Sequence, residues 1–369
     1  MWIWQRPEWP QLTYRPDALV SRLRAVNRLQ GVLVGRSEAA GEHASLDTLL
    51  QNILSSSAIE GETLNVQSVR SSLARRLSQE SDGHVTPASE GLAELMLDVT
   101  TNLQAPLTLE RLFQWHRWLF AGHAPLLDDG VRIGSLRGEE PMRVVSGRVD
   151  RPVAHFEAPP REGLEGELEA FLGWFADSRH DPALDPSVRA GLAHFWFVTV
   201  HPLDDGNGRL ARAVGDLALA QADPLGARLY TMSAAIFNDR DGYYRALEQA
   251  QRGCTDVTAW LEWFLDTLQS SLECANNAIG QELDKVRFWR RHVDLALSDE
   301  QTRFLERVLG RGDFEDGFSA RHYKSIAGVS KATATRHLAD LKEKGLIEPL
   351  PGGGRSSRYQ IVIPDAGHY

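Results

Sequence analysis

The sequence is poor in cysteine and has no long apolar run. Cys254 and Cys274 are the two cysteines among 369 residues, which excludes a disulfide framework and a cysteine-based zinc site. We therefore expect a reducing, cytoplasmic environment. No stretch of about 18 apolar residues occurs, so no membrane span is expected. The first residues, M-W-I-W-Q-R-P, lack the basic and apolar segments of a secretory signal.

The chain also has fewer basic than acidic residues. The 40 Lys and Arg residues face 50 Asp and Glu residues, and the formal net charge is −10. The chain as a whole is therefore not suited to coat nucleic acid, although a local basic face is compatible with this balance. Hydrophobic residues make up 42% and charged residues 24%, which is typical of a soluble globular protein. The length predicts two or three domains.

Helical periodicity dominates the first 280 residues. Asp17 is predicted to cap the first helix, and a later helical region is interrupted near Gly61. The predicted helices cover residues 17–34, 45–77 in two pieces, 88–103, 108–121, 164–178, 186–200, 209–222 and 240–270. Two short segments within 141–156 have the pattern of β-strands, and together they predict a β-hairpin. The predicted fold class is therefore mainly α.

A change in composition near residue 280 predicts a separate C-terminal domain. Helices at 299–310, 320–326 and 330–344 are followed by two short strands that a glycine-rich turn connects. This order is the pattern of a winged helix-turn-helix domain, with Ser330 capping a recognition helix. The predicted domains are an N-terminal cap at 1–85, a catalytic domain at 86–280 and the winged domain at 281–369.

The predicted winged domain carries a local excess of positive charge. Residues 321–358 contain eight Arg and Lys residues against three Asp and Glu residues. DNA binding through 320–362 is one interpretation, because cations on such a surface contact phosphates. A protein–protein or dimerisation module that keeps the same fold is the other interpretation.

Residues 201–212 read H-P-L-D-D-G-N-G-R-L-A-R and concentrate chemically useful side chains between two apolar helices. Pro202 ends the first helix and holds His201 at its end, where an imidazole can act as a base at neutral pH. The turn Gly206-Asn207-Gly208 at the start of the next helix predicts an anion site. Arg209 and Arg212 share one face of that helix and can bind successive phosphates. A carboxylate beside phosphates typically serves Mg²⁺. Together these residues indicate phosphoryl or nucleotidyl transfer.

This stretch resembles the signature of Fic-domain proteins, H-P-F-x-[D/E]-G-N-G-R-x-x-R, with Leu203 at the usual phenylalanine. The resemblance implies a Fic helical core and transfer of AMP from ATP to a Ser, Thr or Tyr hydroxyl of a target protein or of the chain itself. The roles that it implies follow the order of the motif. His201 is the general base, Asp205 binds Mg²⁺, Gly206, Asn207 and Gly208 hold phosphate, Arg209 binds the β-phosphate side, and Arg212 binds the γ-phosphate.

Two further segments extend the resemblance to the walls of the nucleotide site. The hairpin at 141–156 corresponds to the family's flap, which covers the nucleotide and pairs with an extended segment of the target. Its nucleotide contacts are expected from Val144, Val145 and Ser146. Tyr243 and Tyr244 resemble the tyrosine pair of the adenine pocket, although ordinary helix packing also explains them. Gln251 stands at a position where the family has asparagine.

The segment S-S-A-I-E-G resembles the family's inhibitory motif, [S/T]-x-x-x-E-[G/N]. Its members here are Ser56, Glu60 and Gly61. The resemblance implies that Glu60 pairs with Arg212 and keeps ATP in an unproductive pose. In related proteins the same glutamate positions water to remove AMP, so Glu60 is also a candidate hydrolytic base. The family also implies a homodimer.

Two alternatives to AMP transfer stay open on the sequence. One is a de-AMPylase, or a transferase that uses another nucleotide, because the phosphate-binding residues are shared. The other is a winged-helix DNA-binding regulator whose Fic core senses nucleotide. The presence of His201 argues against the second alternative, since a sensor has no need of a base.

Overall fold

The structure is a computed structural model, and it describes residues 1–77, 83–122, 131–148, 151–310, 314, 316–351 and 358–363. Within these ranges the side chains of 37–44, 146–148 and 151–153 are not described. The chain divides into two compact units, Met1–Asn276 and Asn277–Tyr369. Within the described ranges, no helix combines the length and the apolar character that crossing a membrane requires.

The first unit is built around two consecutive helices, α6 and α7. Every residue of α6 from Ser187 to Val200 is buried, as expected for a helix without a polar face. The surrounding helices of this unit pack on this pair and on one another. The helices of the first unit are α1 (Pro16–Ile59), α2 (Val66–Arg76), α3 (Pro87–Thr101), α4 (Leu109–Leu119), α5 (Leu164–Asp177), α6 (Pro186–Val200), α7 (Asn207–Ala222), α8 (Met232–Asn238), α9 (Arg240–Gln251) and α10 (Thr258–Arg291), the last of which extends into the second unit.

The N-terminal helix differs from the prediction. The helix expected at 17–34 and the first piece of 45–77 form one continuous helix, α1, which contacts α2, α3, α7 and α8. Its glycines cost roughly 1 kcal/mol each, and packing against four helices offsets that cost. Asp17 is not the cap, because α1 begins with Pro16 at its first position after Arg15. Residues 1–85 and 86–276 therefore share one packed unit, and the predicted boundary at 85/86 stays a prediction.

A second difference concerns the helix predicted at 240–270. It is divided into α9 and α10 by residues 252–257. Asp256 ends the interruption, because its carboxylate accepts hydrogen bonds from the backbone N–H and the hydroxyl of Thr258, at 2.9 and 2.5 Å. Such a local side-chain bond competes with helix continuation and favours a new helix start.

The predicted hairpin consists of two antiparallel strands, β1 (Arg143–Arg148) and β2 (Arg151–Glu157). Val145 pairs with Ala154, and a bulge lies between Val144 and Val145. Among the described residues, β1 has β2 as its one strand neighbour. The other edge of β1 therefore keeps backbone groups available for a further strand.

The second unit contains α11 (Asp299–Leu309), α12 (Ala320–Ala327), α13 (Lys331–Glu343), β3 (Ile347–Pro349) and β4 (Tyr359–Ile361), with β3 and β4 antiparallel. Its apolar core includes Phe304, Tyr323 and Leu338. Ser330 accepts a hydrogen bond from the N–H of Thr333 and caps α13 as predicted. The predicted glycine-rich turn falls within 352–357, outside the described residues, and the winged-helix interpretation stays a prediction.

Candidate active site

A cavity of about 710 Å³ lies in the first unit and brings together most of the predicted site residues. A volume of this size accommodates a nucleotide-sized ligand. Its walls come from the end of α1, the hairpin, the loop between α6 and α7, and α9. The predicted residues that line it are Glu60, Val144, Val145, His201, Asp205, Gly206, Asn207, Gly208, Arg209, Tyr243, Tyr244 and Gln251.

His201 lies at the end of α6 in a left-handed backbone conformation, with φ 51° and ψ 57°. It is the one non-glycine residue with positive φ in the part of the chain that the structure describes, and this conformation costs roughly 1–2 kcal/mol. The imidazole Nδ1 lies 3.0 Å from the carbonyl oxygen of Val198. A carbonyl only accepts hydrogen bonds, so Nδ1 carries the proton. In the neutral ring, Nε2 therefore keeps its lone pair and can accept a proton.

The two adjacent aspartates have different surroundings. The carboxylate of Asp204 accepts hydrogen bonds from the backbone N–H groups of Arg132 and Gly138, at 2.9 and 3.1 Å, and it anchors the loop before the hairpin. The side chain of Asp205 is 58% exposed and lies at the mouth of the site. Mg²⁺ is commonly held by one or two carboxylates together with substrate phosphates, so Asp205 fits that role. Within the described residues no group of three or more Asp, Glu, His or Cys side chains is arranged so that it could hold a metal ion.

The turn at the start of α7 is stabilised from within. The side-chain amide of Asn207 donates to the carbonyl of Leu203 at 2.8 Å and accepts from its N–H at 3.0 Å. The N–H of Gly206 donates to Asp205 at 2.6 Å. Asn207 thus shapes the loop with its side chain. The first-turn N–H groups of α7 have no partners within the helix, which is the basis of an anion site.

Arg212 is bound by the end of α1. Its Nη2 donates to the Glu60 carboxylate at 2.8 Å and to the Ser56 carbonyl at 3.0 Å, and its Nε donates to the Ser56 hydroxyl at 3.0 Å. Burial lowers the pKa of Arg212, but the Glu60 charge opposes this effect and the net pKa lies above its usual value. A Cβ atom added at Gly208 would meet the Glu60 carboxylate, so a side chain at this position would displace that carboxylate from its present place.

The predicted wall residues differ in what they offer to a ligand. Tyr243 is buried, and its hydroxyl bonds to His194 at 2.9 Å. Tyr244 is 37% exposed and presents its ring to the cavity. Gln251 is buried and donates to the hydroxyl of Thr199 at 3.2 Å. Val145 is 53% exposed on β1, whereas the side chain of Ser146 lies outside the described residues.

Three residues at the site were not predicted from the sequence. Glu62 binds Arg209, with both carboxylate oxygens 2.6 Å from Nη1. Arg137 is buried and donates to the carbonyls of His201 and Pro159, at 2.9 and 2.6 Å. His116 accepts from the N–H of Gly134 at 3.0 Å, and burial lowers its pKa to about 4. Each acts across a long sequence separation, so no local pattern could have identified it.

The fold and the site define a helical protein in which the start of α7 and a histidine at the end of the preceding helix line one cavity. Residues 106–219 match the family model described as Fic/DOC family. Residues 2–78 match a second model, described as Domain of unknown function (DUF4172). Over residues 106–219 the chain is therefore similar to the Fic/DOC family.

Named relatives and solved structures agree with this family. The chain is 29% identical over 217 residues to Protein adenylyltransferase Fic of Nematostella vectensis, covering 58% of this chain and 45% of the relative. It is 26% identical over 258 residues to the Drosophila yakuba protein of the same name, and this match covers 68% of this chain and 47% of the relative. The chain thus spans just under half the length of either relative.

Two solved structures share the fold. A Fic family protein from Desulfovibrio desulfuricans G20 superposes with a TM-score of 0.55 at 21% identity, over 96% of this chain and 98% of that chain. Fic-1 (aa134–508) from C. elegans superposes with a TM-score of 0.51 at 18% identity, over 72% of this chain and 74% of that chain. At these identities the similarity concerns the fold, which is mainly helical with a Fic core as predicted.

Proposed function

We propose that this chain is a protein adenylyltransferase, which transfers AMP from ATP to a hydroxyl of a target protein or of itself. The observation that carries the proposal is the position of His201 in one cavity with an anion-binding helix start, an exposed carboxylate and the hairpin. The names of the Nematostella and Drosophila relatives support the same reaction. ATP is the implied donor.

In the proposed reaction, Nε2 of His201 accepts the proton of the target hydroxyl as its oxygen attacks the α-phosphorus of ATP. Pyrophosphate leaves, and AMP stays on the target oxygen. Arg209 and Arg212 bind the β- and γ-phosphates, and the N–H groups at the start of α7 bind phosphate oxygens. Asp205 is the residue that would hold Mg²⁺, which neutralises phosphate charge when bound. The target pairs along β1.

We also propose that the resting chain is inhibited by Glu60. Its carboxylate lies against Gly208 and binds Arg212, so it occupies the two groups that the γ-phosphate needs. The side chain of Arg212 is 2% exposed, and a buried charge binds tightly to a carboxylate partner. Ser56 and Gly61 position this end of α1, so the segment acts as an internal competitor of ATP.

The first test is incubation of the wild type, Glu60→Gly and Glu60→Gly/His201→Ala with Mg²⁺ and ATP, followed by mass spectrometry of the chain and of added lysate proteins. An AMP adduct that is abundant with Glu60→Gly and absent from the double variant supports the proposal. Adducts from another nucleotide would indicate a different donor. Loss of AMP from pre-modified protein, without any transfer, would favour the de-AMPylase alternative.

The pH profile of transfer tests the state of His201. Burial lowers the pKa of the His201 imidazole below its ordinary value of 6.5, although the hydrogen bond to Val198 opposes this effect. The neutral base therefore persists to lower pH, and the acidic limb of kcat/KM for Glu60→Gly should lie below 6.5. A limb centred above that value would contradict this prediction.

The other predicted partners and the predicted location rest on the sequence and on the exposed charges of the second unit. Homodimer formation rests on the family resemblance, and the cytoplasmic location rests on the low cysteine content. DNA binding by the second unit rests on Arg321, Lys324, Lys331 and Arg336. These four side chains are on exposed residues of α12 and α13 and have no ion-pair partner in the part of the chain that the structure describes.

Gel-shift titration with mixed genomic fragments tests DNA binding. Replacement of Lys331 and Arg336 by glutamine should weaken binding and reduce the slope of log affinity against log salt by about two, since each cation neutralises about one phosphate. Glutamine at Arg287, which is paired with Asp284 on α10, is the control. Without any retarded fragment, the dimerisation interpretation of this unit is favoured.

A further inference from the structure

The end of α1 brings a second carboxylate to the phosphate-binding arginines. Glu60 binds Arg212, and Glu62 binds Arg209 with both oxygens at 2.6 Å from the same nitrogen. The side chain of Arg209 is 5% exposed. Its guanidinium also lies 5.1 Å above the ring of Phe120. Two carboxylates separated by one residue thus neutralise two arginines that are one helical turn apart.

The backbone explains why both carboxylates reach α7. Gly61 has φ +83°, and its N–H donates to the carbonyl of Ala58 at 3.0 Å. The N–H of Glu62 donates to the carbonyl of Ser57 at 3.0 Å. These two bonds form a Schellman motif, which ends a helix with a residue in the left-handed region and fixes the residue that follows. Glu62 is therefore placed by the same turn that places Glu60.

We propose that Glu62 is a specificity-determining residue, which controls how the site ranks AMP, ADP and ATP by competing with the β-phosphate for Arg209. The inference rests on the proposed nucleotide site. Nη1 of Arg209 cannot donate to a phosphate while it donates to both carboxylate oxygens of Glu62. Asp205, at 3.8 Å from Nη2 of Arg209, is more distant. The first carboxylate that a β-phosphate displaces is therefore that of Glu62.

The test is calorimetric titration of the full chain with AMP, ADP and α,β-methylene ATP in the presence of Mg²⁺. The methylene group prevents transfer of AMP during the measurement. Glu62→Gln should tighten ADP and the ATP analogue about fivefold, the size of a partly exposed ion pair worth up to about 1 kcal/mol. AMP, which has no β-phosphate, should bind with unchanged affinity. Glu60→Gln should tighten the ATP analogue more than it tightens ADP.

Two further variants separate this role from a structural one. In an Arg209→Gln background the gain from Glu62→Gln should disappear, since the cation for which the carboxylate and the phosphate compete is then absent. Glu262→Gln is the matched control, because Glu262 is similarly exposed and is paired with Arg22 away from the cavity. Glu62→Ala provides a second variant if the glutamine protein does not fold.

Equal tightening of AMP, or weaker binding of ADP to Glu62→Gln, would overturn the inference. The second result would mean that Glu62 orients Arg209 for the phosphate. If neither the wild type nor the variants bind any of the three nucleotides, the proposed function fails as well. Normal nucleotide binding with no difference at Glu62 would overturn the inference alone.

Discussion

Replacement of His201 by alanine is expected to lower AMP transfer by roughly 10²–10⁴-fold, the range of general-base catalysis. ATP affinity should stay unchanged, because the groups that we propose to bind phosphate lie on α7 and on its preceding turn. The Nδ1–H bond to Val198 sets the tautomer that leaves Nε2 as the acceptor. Alanine removes that acceptor. A second base of comparable strength would have to come from elsewhere in the cavity.

The measurement is the rate of AMP incorporation in the Glu60→Gly background, together with ATP binding by calorimetry. His180→Ala is a suitable control, since His180 is an exposed histidine in a short 3₁₀ turn. Incorporation by Glu60→Gly/His201→Ala at the rate of Glu60→Gly would remove His201 from the base role. A parallel loss of ATP binding would instead place His201 among the residues that hold the nucleotide.

Replacement of Glu60 by glycine is expected to raise AMP transfer by roughly 10–100-fold. The estimate corresponds to about 1.5–3 kcal/mol for a hydrogen bond to a charged group. Without the carboxylate, Arg212 and the space beside Gly208 become available to the γ-phosphate. Glu60 has φ −84° and ψ 2°, a conformation that glycine adopts without strain, so α1 should still end at the same turn.

Initial rates of AMP incorporation with saturating Mg²⁺–ATP measure this effect. Adding Arg212→Ala to Glu60→Gly should abolish the gain, because the γ-phosphate then lacks its partner. Glu90→Gln, at a glutamate paired with Arg75 on another surface, should leave the rate unchanged. Transfer that is equal in the wild type and in Glu60→Gly would refute inhibition by this residue. Faster AMP removal by the wild type than by Glu60→Gly would instead support the hydrolytic role of Glu60.

The effects of Glu60→Gly and His201→Ala concern different steps, so the double variant should show both of them. In the proposed mechanism, Glu60 acts on how ATP is bound, and His201 acts on the attacking hydroxyl. The double variant should bind ATP as Glu60→Gly does, transfer AMP faster than His201→Ala does, and transfer it roughly 10²–10⁴-fold more slowly than Glu60→Gly does. A site in which both residues served only to maintain the fold would show losses in both measurements.

Residues 201–212 were identifiable from the sequence because their chemistry is local. A proline after a buried helix, a glycine-rich turn and two arginines at helical spacing specify a histidine, an anion site and a cationic face within twelve positions. The hairpin and the helices 88–103, 108–121, 164–178 and 186–200 were likewise predictable to within a few residues, since their periodicity and end signals are short-range. The same reasoning failed for α1, where packing outweighed the pattern. It also failed for the interruption between α9 and α10, after which the Asp256 side chain favours a new helix start.

Which partners the arginines of the site bind depends on contacts between distant parts of the sequence. Arg209 and Glu62 are separated by 147 positions, and Arg137 reaches the carbonyl of His201 over 64 positions. Spacing along a helix or a strand carries no information on such pairs, because they exist only once α1 packs across α7. The sequence therefore identified the groups that we propose to bind phosphate and to accept a proton. Folding specified that both arginines are already bound to carboxylates, which offset the cost of burying their charges.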